Sequence, residues 1–470
     1  MDIQKHASDF SAENLRKSYI NNILNRNTHI HNFISMLLNI EKGGVIAIDG
    51  EWGSGKTYFV HQVKWLFDSA NENIDSDIKN VLNSTSPKLD NIIEHKYKVF
   101  YYDAWKHDKS NNPFFTLLRT MILAFGGIDY FNQKKGFIES LLKSASHIVK
   151  GITSIDVESI FNGIKEFSGI NDTTPLSELE FIEQMDSQVN SFLDYICEGQ
   201  YDKLVIFIDE LDRCKPSFAV ELLEIIKHYF NHDKVIFVLS TNLKEFQHCI
   251  KHYYGEDFDG WKYLDRFIDI RITLPKITAK EYCTHLWNHT NDDQIDKLAM
   301  GCAEYFNFTL REIERYNILV KLSIQYAFEK RNESGWYIEE EEHLYIFWIP
   351  IILAIKLYSG EAYFDFISGK NYLLIGSLMK LKSYKDSAIA LFINKNDNQN
   401  QNQNQNQNID LVYKKIEYYY KMIFLEEPPI EFSRELSESI ASDSFHINVG
   451  LKQRLLNIAN LFSSFSSFNI

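Results

Sequence analysis

The sequence predicts an α/β fold with a mostly parallel five-stranded sheet, a helical insertion and an all-helical C-terminal region. Three observations carry this expectation. Short apolar runs recur at 45–49, 98–103, 204–209, 235–240 and 268–274, with helical spacing between several of them. Runs that are apolar on both faces and alternate with helices form parallel strands covered on both sides. The first run leads into a glycine-rich loop and then a helical pattern, and beyond Pro275 only helical spacing continues.

The elements follow in order. Residues 1–40 read as N-terminal helices packing on the core, with Leu15, Ile20, Ile23, Leu24, Ile30, Phe33, Ile34, Leu37 and Leu38 at helical spacing. The core then spans 41–275. Its first strand is Val45–Asp49, and a helix starts near Tyr58-Phe59-Val60. Residues 69–95, rich in Ser, Asn and Asp, read as an exposed excursion before the second strand, Lys98–Asp103. A mainly helical insertion fills 110–197, with helical runs at Phe114–Leu123, Phe137–Val149 and Leu179–Ile196. The strands Leu204–Asp209, Val235–Ser240 and Ile268–Leu274 complete the sheet, with a helix at Leu243–Ile250 between the last two. Residues 276–394 form a helical lid or C-terminal domain. The Asn/Gln tract at 395–408 reads as a disordered linker, because it has no apolar residue to bury against its ordering entropy. Residues 409–470 form the last helices.

Composition narrows the classes. A chain of 470 residues implies two or three modules, and 45% hydrophobic with 14% aromatic residues is ample for their cores. The net charge of −15 argues against a protein that coats nucleic acid. Five scattered cysteines without C-x-x-C spacing, and an N-terminus unlike a secretory signal, point to a reducing cytoplasm and no structural zinc. No stretch reaches the roughly 20 apolar residues of a membrane span. The nearest, Leu344–Ile355, is broken by Pro350 and flanked by charges, so a buried helix is expected.

The chemistry begins at Gly50-x-x-x-x-Gly55-Lys56-Thr57, set between a strand and a helix. This is a P-loop, and its ligand is a nucleoside triphosphate with Mg²⁺. Gly50, Gly53 and Gly55 let the backbone approach a phosphate chain, and the helix N-terminus adds N–H donors. Lys56 reaches the β- and γ-phosphates, and the Thr57 hydroxyl ligands the metal. Trp52, Ser54 and Tyr58 complete the nucleotide-binding stretch. The third strand ends in Asp209-Glu210. Asp209 is the candidate Mg²⁺ partner, and Glu210 can polarise the water that attacks the γ-phosphate. The fourth strand ends in Ser240-Thr241-Asn242. Thr241 or Asn242 could orient that water, or could cap the helix that follows.

Trp52 in the loop, Tyr102-Asp103-Ala104-Trp105-Lys106, Ile208 through Cys214, and Tyr263 through Pro275 together resemble the KAP family of P-loop NTPases over roughly residues 10–320. The resemblance implies an ATPase core of the additional-strand, catalytic-glutamate type, related to AAA+ and STAND proteins. In it Asp212 is a further metal-shell acid or pairs with Arg213 to shape the loop. Trp105 packs near the nucleotide, fixes the second strand, or is simply a core tryptophan. Arg266, just before the fifth strand, is placed like an arginine finger completing a neighbour's site, which would require at least a dimer; the alternative is an ion pair with Asp265 or Asp269. Arg311 resembles a sensor arginine reaching the γ-phosphate, and an ordinary helix-surface arginine fits as well. Many members carry transmembrane helices in the insertion, but Lys134, Lys135, Lys143 and Lys150 interrupt it here. A soluble module facing an unidentified protein partner is therefore expected. The family also implies a role in bacterial defence against phage. Two functions follow: an ATP hydrolase driving a change of shape or assembly, and an ATP-gated interaction protein in which binding is the signal.

Overall fold

The five apolar runs pair into one sheet. Gly44–Asp49 (β1), Tyr97–Asp103 (β2), Lys203–Asp209 (β3), Val235–Thr241 (β4) and Ile270–Thr273 (β5) lie in the order β2-β3-β4-β1-β5, with every neighbouring pair parallel. The computed structural model describes residues 9–72, 76–85, 96–110, 112–133, 178–197, 201–230, 232–275, 277–278, 280–283, 294–334, 342–392, 405–425, 440 and 450–463. The chain divides into two compact units, Phe10–Lys276 and Ile277–Ile470.

Strand residues alternate between the faces of the sheet, and each face has its own cover. Ile46, Ile48, Val205, Phe207, Ile236 and Val238 pack with Ala12–Ile20 (α1), Asn27–Asn39 (α2), Lys56–Glu72 (α3) and Ser76–Thr85 (α4). Val45, Ala47, Ile206, Ile208, Phe237 and Leu239 pack on the other side. Their partners there are Pro113–Gln133 (α5), Glu178–Cys197 (α6), Pro216–Tyr229 (α7) and Leu243–Tyr254 (α8), followed by the short Gly260–Leu264 (α9). Two-sided burial is why these strands read as unbroken apolar runs.

Three expectations need correction or limits. Part of 69–95 is not an excursion: α4 buries Ile78 and Leu82, four residues apart on one helical face, in the same core as α1 and α2. The Ser, Asp, Lys and Asn residues around them hid that face. In the insertion, α5 and α6 cover Phe114–Leu123 and Leu179–Ile196, whereas Phe137–Val149 lies outside the described residues. In the second unit, the helix Gln405–Phe424 begins inside the Asn/Gln tract. Its buried Val412, Ile416, Tyr419 and Tyr420 anchor a helix that extends back through Asn408 to Gln405. The rest of the tract lies outside the described residues.

The apolar run of that unit forms the helix Glu342–Tyr358, with Leu344, Tyr345 and every residue from Phe347 to Ile355 buried. The Tyr316 hydroxyl donates to the Pro350 carbonyl at 2.8 Å. Among the described residues, no helix is long and apolar enough to cross a membrane.

Two histidines make the packing around the N-terminal helices pH-dependent. His31 shares a hydrogen bond with the Tyr19 hydroxyl at 2.5 Å, and His61 lies between the rings of Phe10 and Tyr101. Burial holds both at about 4, assisted at His61 by Lys64. The unfolded chain therefore takes up protons near pH 6.5, which the folded state refuses until near pH 4. Stability from this source is complete above about pH 7 and falls as the pH drops. The melting temperature should be lower at pH 5 than at pH 7.5, and a His31→Gln, His61→Gln double variant should show a shallower fall. An unchanged slope in the double variant would refute the assignment.

Candidate functional site

The loop between β1 and α3 is shaped by its glycines. Gly53 has φ +77° and Gly55 φ +83°, a region that residues with a Cβ avoid. At Gly50 a Cβ would stand 2.8 Å from Ser54 Oγ, so a larger residue there would displace the Ser54 hydroxyl. Ser54 Oγ itself is buried without a hydrogen-bond partner among the described residues. Lys56 opens α3, and its Nζ donates to the carbonyls of Gly50 at 2.5 Å and Glu51 at 3.2 Å. Burial pushes the Lys56 ammonium down, against Asp212, Asp209 and Asp49, which hold it up. Tyr58 follows in the first turn of α3, its ring 6.1 Å from that of Phe10.

β3 delivers the acids. Asp209 is 1% exposed. Its Oδ1 accepts the Glu210 N–H at 3.0 Å and its Oδ2 accepts the Tyr101 hydroxyl at 3.1 Å. Burial pushes the Asp209 carboxyl up, while the hydroxyls of Ser240, Thr57 and Tyr101 hold it down. Thr57 thus faces Asp209 across the site. A hydroxyl and a carboxylate are hard oxygen donors of the kind Mg²⁺ takes, with phosphates and water filling its other positions.

Glu210 takes the left-handed backbone, φ +59° and ψ +28°, which costs a non-glycine residue about 1–2 kcal/mol. The turn swings the chain into a short 3₁₀ segment, Leu211–Arg213. There the Arg213 guanidinium lies 2.8 Å from the Glu210 carboxylate and 5.7 Å from the centre of the Trp105 ring. Trp105 is 52% exposed, which removes the reading of it as a core tryptophan.

Asp212 joins three elements. Its Oδ2 accepts the Trp52 indole N–H at 2.5 Å and its Oδ1 accepts the Thr241 hydroxyl at 3.0 Å. Asn242 caps α8, its side chain accepting the Glu245 N–H at 3.4 Å. The polar end of β4 therefore divides its work: Thr241 fixes Asp212, and Asn242 starts a helix. Trp52→Phe removes the indole donor to Asp212 Oδ2 and should lower stability by about 1–3 kcal/mol, with weaker ATP binding. Thermal melts and ATP titration check this, and unchanged values in both would show the bond to be idle.

The two remaining arginines lie elsewhere. Arg266 is exposed, in the turn from α9 to β5. β5 enters the sheet beside Ile46, and Asp269 exchanges hydrogen bonds with Val45. That is the amino-terminal edge of β1, roughly 17 Å of strand from Gly50. Arg266 is thus at the opposite edge from the loop of its own chain. The expected ion pair also fails: Asp265 pairs with Arg271, and Asp269 accepts the Val45 N–H. Arg311 belongs to the other compact unit, exposed in the first turn of Leu310–Ser334.

Sequence reasoning missed two residues. Tyr101 donates to Asp209, and the mixed polar-aromatic end of β2 was a weak signal for it. Arg26 donates to the loop carbonyls of Ser54 and Gly55 and to Pro275. Those partners are 28, 29 and 249 residues away, so nothing local marked it.

Lys56, Thr57, Asp209 and Glu210 meet at the carboxyl ends of β1 and β3, which β4 separates by two strand spacings, about 10 Å. Ligands of parallel α/β sheets bind at that edge. The arrangement offers a cradle of backbone donors, a buried cation, an oxygen pair for a hard metal and a carboxylate beside it. The family model of the KAP family P-loop domain matches residues 26–327. No curated protein matches the chain.

Proposed function

The chain belongs to the KAP family of P-loop NTPases, and from that premise we propose that it binds ATP with Mg²⁺ and hydrolyses it to drive a change of shape or assembly. The observation that carries this reading is the meeting of Lys56, Thr57, Asp209 and Glu210 at one sheet edge. Lys56 and the loop N–H groups balance the charge of the β- and γ-phosphates. Thr57 and Asp209 would hold Mg²⁺, which would supply charge compensation for the phosphates. Glu210 accepts the proton of the attacking water. Its ion pair with Arg213 fixes the direction of the carboxylate. The placement of β4 between β1 and β3 supports the additional-strand type.

Arg266 serves a second copy of the chain in this reading, because its own loop lies at the far edge of the sheet. The purified chain should release phosphate from ATP with Mg²⁺ and stop when EDTA removes the metal. Light scattering with a nonhydrolysable ATP analogue should show an assembly that Arg266→Ala weakens. Absence of phosphate release alongside intact ATP-dependent assembly would favour the second reading, in which bound ATP is the signal.

A further inference from the structure

Behind the phosphate loop, on the side away from its cup, lies a buried cation. Arg26 is 2% exposed, and burial pushes its guanidinium down to about 10, so it stays charged at neutral pH. Nη2 donates to the carbonyls of Ser54 at 2.7 Å and Pro275 at 2.9 Å, and Nη1 to that of Gly55 at 3.2 Å. Nε is buried without a hydrogen-bond partner among the described residues. All three acceptors are neutral carbonyls, an expensive setting for a desolvated charge. An anion held on the other side of the same peptide groups would offset that cost.

The geometry of the peptide group makes the connection. Among the described residues there is no cis peptide bond, and in a trans peptide the C=O and N–H point in opposite directions. The Ser54 carbonyl shares its peptide with the Gly55 N–H, and the Gly55 carbonyl shares its peptide with the Lys56 N–H. Drawing both carbonyls back onto Arg26 turns both N–H groups forward, into the cup. The guanidinium charge also sits at the carbonyl end of both peptides and polarises them toward an anion.

We infer that Arg26 is a positioning residue for the phosphate chain, acting through the peptides Ser54–Gly55 and Gly55–Lys56 without touching the ligand. The inference rests on the nucleotide reading above. Its hold on Pro275, just past β5, also ties the loop to the edge of the sheet.

The test is equilibrium binding of ATP and of inorganic tripolyphosphate, each with Mg²⁺, to the full chain by calorimetry. Arg26→Gln should weaken both ligands by on the order of tenfold or more. Arg26→Lys, which restores the charge without the planar fork, should recover part of that loss. A folded Arg26→Gln chain that binds tripolyphosphate within about twofold of wild type overturns the inference. So does a loss seen with ATP but not with tripolyphosphate, since that places the effect at the nucleoside. If Arg26→Gln does not fold, Arg26→Lys decides. Wild-type affinity in that variant, or its failure to fold, assigns Arg26 to the fold and overturns the inference. If the wild-type chain binds neither ligand, the nucleotide reading itself falls, which separates the two failures.

Discussion

Glu210→Gln should slow ATP hydrolysis by about 10²–10⁴-fold and leave ATP affinity nearly unchanged. The amide keeps the size and the left-handed turn of Glu210 but cannot accept a proton from water. Affinity is spared because the cradle is made by other residues: Lys56, the loop peptides, Thr57 and Asp209. The ion pair with Arg213 is lost as well. Both groups are partly exposed, so the effect on stability is small. Phosphate release under saturating ATP, beside a binding titration, separates the two quantities. Turnover equal to wild type would remove Glu210 from the reaction. Turnover lost with biological activity retained would mean that binding is the signal.

Lys56→Ala should reduce ATP affinity by about 100-fold or more, from loss of a desolvated charge contact to phosphate. The same substitution should barely change the melting temperature. Burial already pushes the Lys56 ammonium down, so removing it relieves a desolvation cost. Against this stand the carbonyls of Gly50 and Glu51, which lose their donor. The expected product is a folded chain that no longer binds the nucleotide. ATP binding at wild-type strength would overturn the whole site assignment, including Asp209 and Glu210.

The fold was legible where apolar runs were long and bounded. β1, β3 and β4 are apolar on both faces because helices cover both, and their polar ends mark the ligand edge. α4 was missed because its buried Ile78 and Leu82 sit in a segment otherwise rich in Ser, Asn and Asp. The site was legible in the same uneven way. Residues at fixed spacing along one segment, Gly50 through Thr57 and Asp209-Glu210, could be found from local pattern. Tyr101 and Arg26 act across the sheet, through contacts that only folding creates. Trp52 and Asp212 were each visible, but nothing in their separation of 160 residues told that the indole N–H meets the carboxylate. The exposed flank of Trp105 was equally hidden, since aromatic residues are more often buried than left beside an arginine.

Asp212 accepts from Trp52 in the phosphate loop and from Thr241 at the end of β4, one oxygen each. Its consequence is genetic. The effect of changing Trp52 depends on whether Thr241 is present, and the reverse also holds, though one residue lies in the loop after β1 and the other at the end of β4. A double-mutant cycle of Trp52→Phe and Thr241→Val should therefore be non-additive, with a coupling of about 0.5–3 kcal/mol. A lineage that keeps Asp212 and replaces Trp52 or Thr241 with a residue lacking the donor passes through a state in which a carboxylate oxygen of Asp212 has lost that partner. The order in which substitutions can accumulate around this loop is thereby restricted.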